Sequence, residues 1–262
     1  MLELARNEAR HRIAGSITLS VLLAGLAAIA LWVYPSFTSA LDVDQITELY
    51  PEPLLEMFGV RALGTVGGFL ATEVYSFGWV ILLGMYLAYL GGALVADDVE
   101  RERMDILLSL PVSRSRLVVE KYLSLLVPIV VVNVVTPIAV YGGVRLIDQS
   151  ISVADLVAVH ALSVPYLLAC GAIGLLLSVV FDRTSIAQRG ALGVVFGLFL
   201  LESLLARTDY EWVGRISPTR YYDPTAVLVD GIYDLAGAAV LSAAAIGLLL
   251  VSLGWFRRKD IA

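Results

Sequence analysis

The sequence predicts an all-α polytopic membrane protein with six transmembrane helices. Three observations carry this. Of 262 residues, 59% are hydrophobic, more than a soluble domain of this size usually buries. The mean hydropathy is +0.84. Six apolar runs are long enough to cross a hydrocarbon core of about 30 Å, which needs about 20 residues of helix. Helix is the required form, because lipid offers no partner to an open backbone group.

The runs lie at about 13–34, 74–96, 122–141, 156–181, 186–206 and 235–256. Together they fill the chain as a single transmembrane domain over 1–262. Before the first run, Leu2, Ala5, Ala9 and Ile13 recur at helical spacing among charged residues. That pattern predicts an amphipathic helix lying in the membrane interface. The first run is too long for the apolar region of a cleavable signal peptide.

The loop 35–73 is acidic, and its Pro51 and Pro53 break it before an apolar stretch around Leu54, Leu55, Met57 and Phe58. The third run holds Pro128, Asn133 and Pro137, a candidate hinge, since each proline removes a helical hydrogen bond. The fourth run has the small pair Gly171 and Gly174, and the fifth has Gly193 and Gly197, where helices can approach closely. Only Asp182, Arg183, Thr184 and Ser185 separate these two runs, which reads as a tight turn on the inner side. In the last outer loop, 207–234, Pro218 and Pro224 predict bent or re-entrant chain, and Trp212, Tyr221 and Tyr222 suit headgroup depth.

Arginine and lysine set the orientation. Thirteen fall at 1–12, 97–121, 182–189 and 257–259, and five fall in the alternate loops. The excess belongs on the cytoplasmic side, so both termini are expected there, in the plasma membrane. The net charge is −6 with only two lysines, Lys121 and Lys259, a balance that suits a salt-adapted source. No basic face is concentrated enough to bind nucleic acid.

Enzyme signatures are missing. His11 and His160 are the only histidines and form no HExxH pattern; His160 reads as a polar packing residue. Cys170 is the single cysteine and sits in an apolar run as a small packing residue. No GxSxG elbow or phosphate-binding GxxxxGK[ST] loop occurs. No cofactor is expected in this chain. Ionisable residues are scarce within the runs; Glu73 and Glu202 fall at outer ends, so a proton-coupled carrier is poorly supported.

The segment 97–121 is the most informative. Glu100, Arg101, Arg103 and Asp105 alternate with Val99, Met104, Ile106, Leu107, Leu108 and Leu110. Pro111 stops that helix, and Ser113 is placed to cap the next, which enters the third run through Arg114 and Arg116. The order of Glu100, the stretch Leu107, Leu108, Ser109, Leu110, Pro111, Val112, Ser113, Arg114, and then Lys121 resembles the first cytoplasmic loop of type-2 ATP-binding-cassette (ABC) transporter permeases. Six spans, an amphipathic start and a proline-containing last outer loop resemble that family over nearly the whole chain. Many relatives carry Gly-Thr where this chain has Glu102 and Arg103.

The resemblance implies an exporter permease subunit, not itself an enzyme. It implies a cytoplasmic coupling helix that docks on a separate ATPase subunit, and a second permease subunit completing the path. Glu100, Asp105, Leu107, Leu108, Pro111, Ser113, Arg114 and Lys121 match the coupling element. ATP and magnesium are then expected on the ATPase. The residues alone leave a secondary carrier and a membrane anchor or assembly protein as alternatives.

Overall fold

The computed structural model describes residues 3–40, 64–104, 113–206 and 208–259. The described residues hold helices and turns and no strand. Among the described residues, six helices are long and apolar enough to cross a membrane. They are α1 (Glu3–Ala40), α2 (Val66–Glu100), α3 (Arg114–Leu146), α4 (Val153–Val180), α5 (Thr184–Leu205) and α6 (Leu235–Arg258). Each takes up one of the six apolar runs, with Phe181 and Ala206 falling just past the ends of α4 and α5. The structure extends most of them past the run, because helix continues where charged residues reach the interface.

The expected N-terminal amphipathic stretch is helical, but it is not a separate element. It forms the opening turns of α1, uninterrupted into the span. Within α1, hydroxyls buried against the rest of the chain bond back to the preceding turn, Ser16 to the Arg12 carbonyl at 2.7 Å and Ser20 to the Ser16 carbonyl at 2.9 Å. The apolar stretch at 54–58 lies outside the described residues.

α2 is composite. Thr65 caps it by accepting from the Gly68 amide at 3.0 Å. After Val66–Leu70 the chain widens into a π-helix over Ala71–Leu83, then returns to α-helix over Gly84–Ala93. A step at Leu94 and Val95 leads into Ala96–Glu100. π-turns are uncommon and mostly short. Hydropathy does not encode which carbonyl an amide selects, so the run reads the same in either register. α3 is also stepped, with Arg114–Leu123 and Leu126–Leu146 meeting at Ser124 and Leu125.

α4 is the centre of the bundle, packed by α2, α5 and α6, while α1 lies mainly on α3. Of the apolar windows of α2 and α4, 61% is buried within the chain, against 17% for α5 and 22% for α6. The last two therefore offer most of their surface to lipid or to another subunit.

The contact of α2 with α4 is backbone on backbone. A Cβ on Gly174 would lie 2.1 Å from the Ala88 carbonyl oxygen, and one on Gly91 would lie 2.3 Å from that of Gly171. So the small pair Gly171 and Gly174 serves a close approach. Gly193 and Gly197 meet nothing within 4 Å in this chain.

The loop between α5 and α6 folds back on the bundle. It forms 3-10 turns at Glu211–Ile216 and Pro218–Tyr221, then a short helix at Pro224–Leu228. The Tyr222 hydroxyl donates to the Val159 carbonyl at 3.0 Å, and its ring stacks on Tyr166 at 5.5 Å. Tyr166 lies thirteen residues into α4, about 20 Å along its axis. The loop thus tucks well below the adjoining helix ends, as its prolines predict.

Candidate functional site

At one end of the bundle, α2, α3, α4, α5 and α6 converge on one polar assembly. Four of the eight sequence-predicted coupling residues are described there: Glu100, Ser113, Arg114 and Lys121. Asp105, Leu107, Leu108 and Pro111 lie outside the described residues.

The assembly starts at the last turn of α2. Asp98 is buried and ion-paired with Lys121 of α3, also buried. Arg103 reaches the same carboxylate at 3.0 Å. Asp97 is more open and takes Arg101 at 2.8 Å, together with Arg103. A charge buried at this depth needs a partner, and the pair satisfies both groups at once. Nearby, Arg116 holds Glu120 at 2.7 Å across one turn of α3.

Glu100 does a different job. Its carboxylate accepts from the Thr184 amide at 2.8 Å, at the first turn of α5. The residue at the α5 N-cap, Arg183, supplies no side-chain cap, so α2 caps α5 from outside. The tight turn expected between the fourth and fifth runs is present, with Val180 ending α4 and Thr184 opening α5.

Ser113 caps α3 as its spacing predicts, accepting from the Arg116 amide at 3.3 Å. Arg114 does not point away from the chain. Its guanidinium donates to the Lys259 carbonyl at 2.8 Å and lies 6.0 Å from the Phe256 ring centroid. Arg257 reaches Ser115 at 2.7 Å. Lys259 in turn pairs with Asp182 at 2.6 Å and donates to the Val179 carbonyl at 2.9 Å. The end of α6 is thereby fastened to the start of α3 and the end of α4.

Two residues here escape sequence reasoning. The Ser178 hydroxyl of α4 accepts from the amides of Val95 and Ala96, at 2.8 and 2.9 Å. These amides are exposed by the step in α2, and nothing in an isolated serine announces that. Asp98 reads as one more acid in a charged run, and only the fold brings Lys121 to it.

The candidate hinge residues lie higher, in α3. Pro128 is buried three residues into Leu126–Leu146, just past the step, and the helix runs on through Pro137. Asn133 is bonded across the bundle. Its amide donates to the Ile129 carbonyl at 2.8 Å, and its oxygen accepts from Ser163 at 3.0 Å and from His160 Nδ1 at 3.1 Å. The Tyr75 hydroxyl then donates to His160 Nε2 at 3.0 Å. One neutral tautomer satisfies both ring nitrogens, so His160 is a packing residue that joins α2, α3 and α4.

A sequence model of the ABC-2 family transporter proteins matches residues 2–261. The chain belongs to the ABC-2 transporter family. No curated protein matches it individually. This ABC-2 chain is therefore a membrane-embedded permease component of an ABC transporter, a component that works with an ATPase subunit. The departure at Glu102, where many type-2 permeases carry glycine, falls on backbone with φ of +56°. That is the left-handed region glycine favours. In this ABC-2 permease a glutamate occupies that conformation.

Proposed function

We propose that this permease couples ATP hydrolysis on a separate subunit to export, with both termini and the 97–121 segment on the cytoplasmic side. A second permease subunit completes the path, and α5, the least covered span, supplies surface for it. ATP and magnesium belong to the ATPase partner. Asp105, Leu107, Leu108 and Pro111 form the docking surface. Glu100, Ser113, Arg114 and Lys121 position it from within the chain.

The observation that carries this reading is the fastening of both flanks of residues 105–112. On one side Asp98 and Glu100 hold α3 and α5. On the other, Arg114 and Lys121 hold α6 and α2. A segment anchored so firmly at both ends transmits force instead of absorbing it. A carrier driven by ions fits less well, because the buried charges Asp98, Glu120 and Lys121 sit at the inner end and pair with opposite charges.

The test is co-expression with the partner ATPase subunit. The parent complex should co-purify and hydrolyse ATP, while the permease alone should not hydrolyse it. Leu107→Asp should abolish co-purification, because an unpaired carboxylate in a docked apolar contact costs several kcal/mol, of the order of the ~2–7 for an unbonded polar group. Glu100→Ala combined with Arg114→Ala should uncouple hydrolysis from transport. Normal assembly and transport by both variants, with normal membrane insertion, would remove the coupling role.

A further inference from the structure

Between α4, α5 and α6 the bundle holds an open groove that the coupling reading does not use. α4 forms its floor with Ile173 and Leu177, α5 one wall with Leu198, and α6 the other with Val240, Ala244 and Leu248. Its volume is about 450 Å³, within the roughly 300–1,000 Å³ range of sites that enclose a small ligand. The lining is almost wholly aliphatic.

One end is polar. The 3-10 turn Glu211–Ile216 closes the groove there and brings Arg215 to its mouth. The Tyr221 hydroxyl donates to the Arg215 carbonyl at 2.8 Å and fixes that turn. The neighbouring cation, Arg220, is committed to Glu211 at 3.6 Å. Among the described residues, no carboxylate lies within ion-pair distance of Arg215, which is exposed. An unpaired guanidinium at the top of an apolar slot is a forked donor set for a phosphate or carboxylate.

The dimensions select the rest of the ligand. From Val240 to Leu248 the groove follows α6 for about 12 Å, and it follows α4 from Ala169 to Leu177 for the same length. One leaflet of the hydrocarbon core is about 15 Å deep. The slot runs along the helices, as a lipid tail runs along the bilayer normal.

We propose that this groove binds one acyl chain of an anionic membrane lipid, with the acidic headgroup held by Arg215. The bound lipid fills the gap between α5 and α6 and seats the re-entrant loop against them.

The test uses the full chain purified from vesicles of equal phosphatidylglycerol and phosphatidylcholine content, with retained lipid counted by native mass spectrometry. The parent should keep phosphatidylglycerol several-fold over phosphatidylcholine. Arg215→Gln, at an exposed position, should level the two. Ala244→Trp, which fills the slot, should lose both. Equal retention by the parent, or a preference that survives Arg215→Gln, overturns the proposal. So does an Ala244→Trp variant that keeps its lipid but falls from dimer to monomer, since the groove is then a subunit contact. Should Ala244→Trp not fold, Arg215→Gln decides alone. No ATPase takes part in the measurement, so its outcome is separate from that of the coupling experiment.

Discussion

The ammonium of Lys121 and the carboxylate of Asp98 form a buried ion pair that joins the start of α3 to the last turn of α2. Removing one member strands the other. Breaking a buried pair typically costs about 3–5 kcal/mol, and Arg103, at 3.0 Å from Asp98, tempers the loss for Lys121→Met. Asp98→Asn should be the harsher change, because it strands Lys121 away from water. Thermal unfolding in detergent should rank the two variants in that order, both below the parent.

The Glu102 backbone predicts an unusual gain. Glu102→Gly should relieve a left-handed conformation at φ of +56° and leave the chain about 0–1 kcal/mol more stable, the relief being offset by glycine's greater freedom when unfolded. Glu102→Val, with a branched Cβ at the same φ, should lose about 1–2 kcal/mol. Paired melting curves check the sign, and a Glu102→Gly variant less stable than Glu102→Val would contradict it.

Orientation is tested with single cysteines in a Cys170→Ala background. Asp230 and Ser185 are both exposed, Asp230 in the loop before α6 and Ser185 in the first turn of α5, outer and inner respectively by the arginine and lysine bias. Asp230→Cys should react with an impermeant thiol reagent in intact cells. Ser185→Cys should react only after permeabilisation. The reverse pattern would invert the proposed topology.

Much of this architecture was legible in the sequence because membrane spans are set by a local quantity, the length of an apolar run. The Ser113 cap and the turn after Val180 are equally local, and both occur where spacing puts them. What could not be read depends on partners far apart in the chain. Asn133 between Pro128 and Pro137 looks like a hinge on paper. Folding brings Ser163 and His160 to it, and the same residue becomes a strut. Asp98 and Lys121 are 23 positions apart, and the π-helix over Ala71–Leu83 leaves no trace in hydropathy.

The strut itself can be weighed. Asn133→Leu should cost about 0.6–2 kcal/mol, the span measured for polar contacts between helices in membranes. The loss should shrink when His160 is already Phe, because the two side chains share one network. A double-mutant cycle on unfolding free energy measures that coupling, and strict additivity would show that the network is not cooperative.

Close approach gives the sharpest steric forecast. Gly174→Ala would put a methyl 2.1 Å from the Ala88 carbonyl oxygen, and backbone has no rotamer with which to yield. The expected loss is about 1–3 kcal/mol or more. Gly193→Ala, which meets nothing within 4 Å, should leave the monomer's stability unchanged. Comparing the two melting temperatures checks the contrast.

The short helix Arg114–Leu123 below the step in α3 has no independence from its neighbours. Lys121 fastens it to α2, the Tyr122 hydroxyl to the Leu168 carbonyl of α4 at 2.8 Å, and Arg114 and Ser115 to the end of α6. Above it, the chain bends at Ser124 and Leu125. This piece therefore works like a keystone. Three spans are bonded to it and α1 packs against it, so a displacement of Ser113 would act on all four.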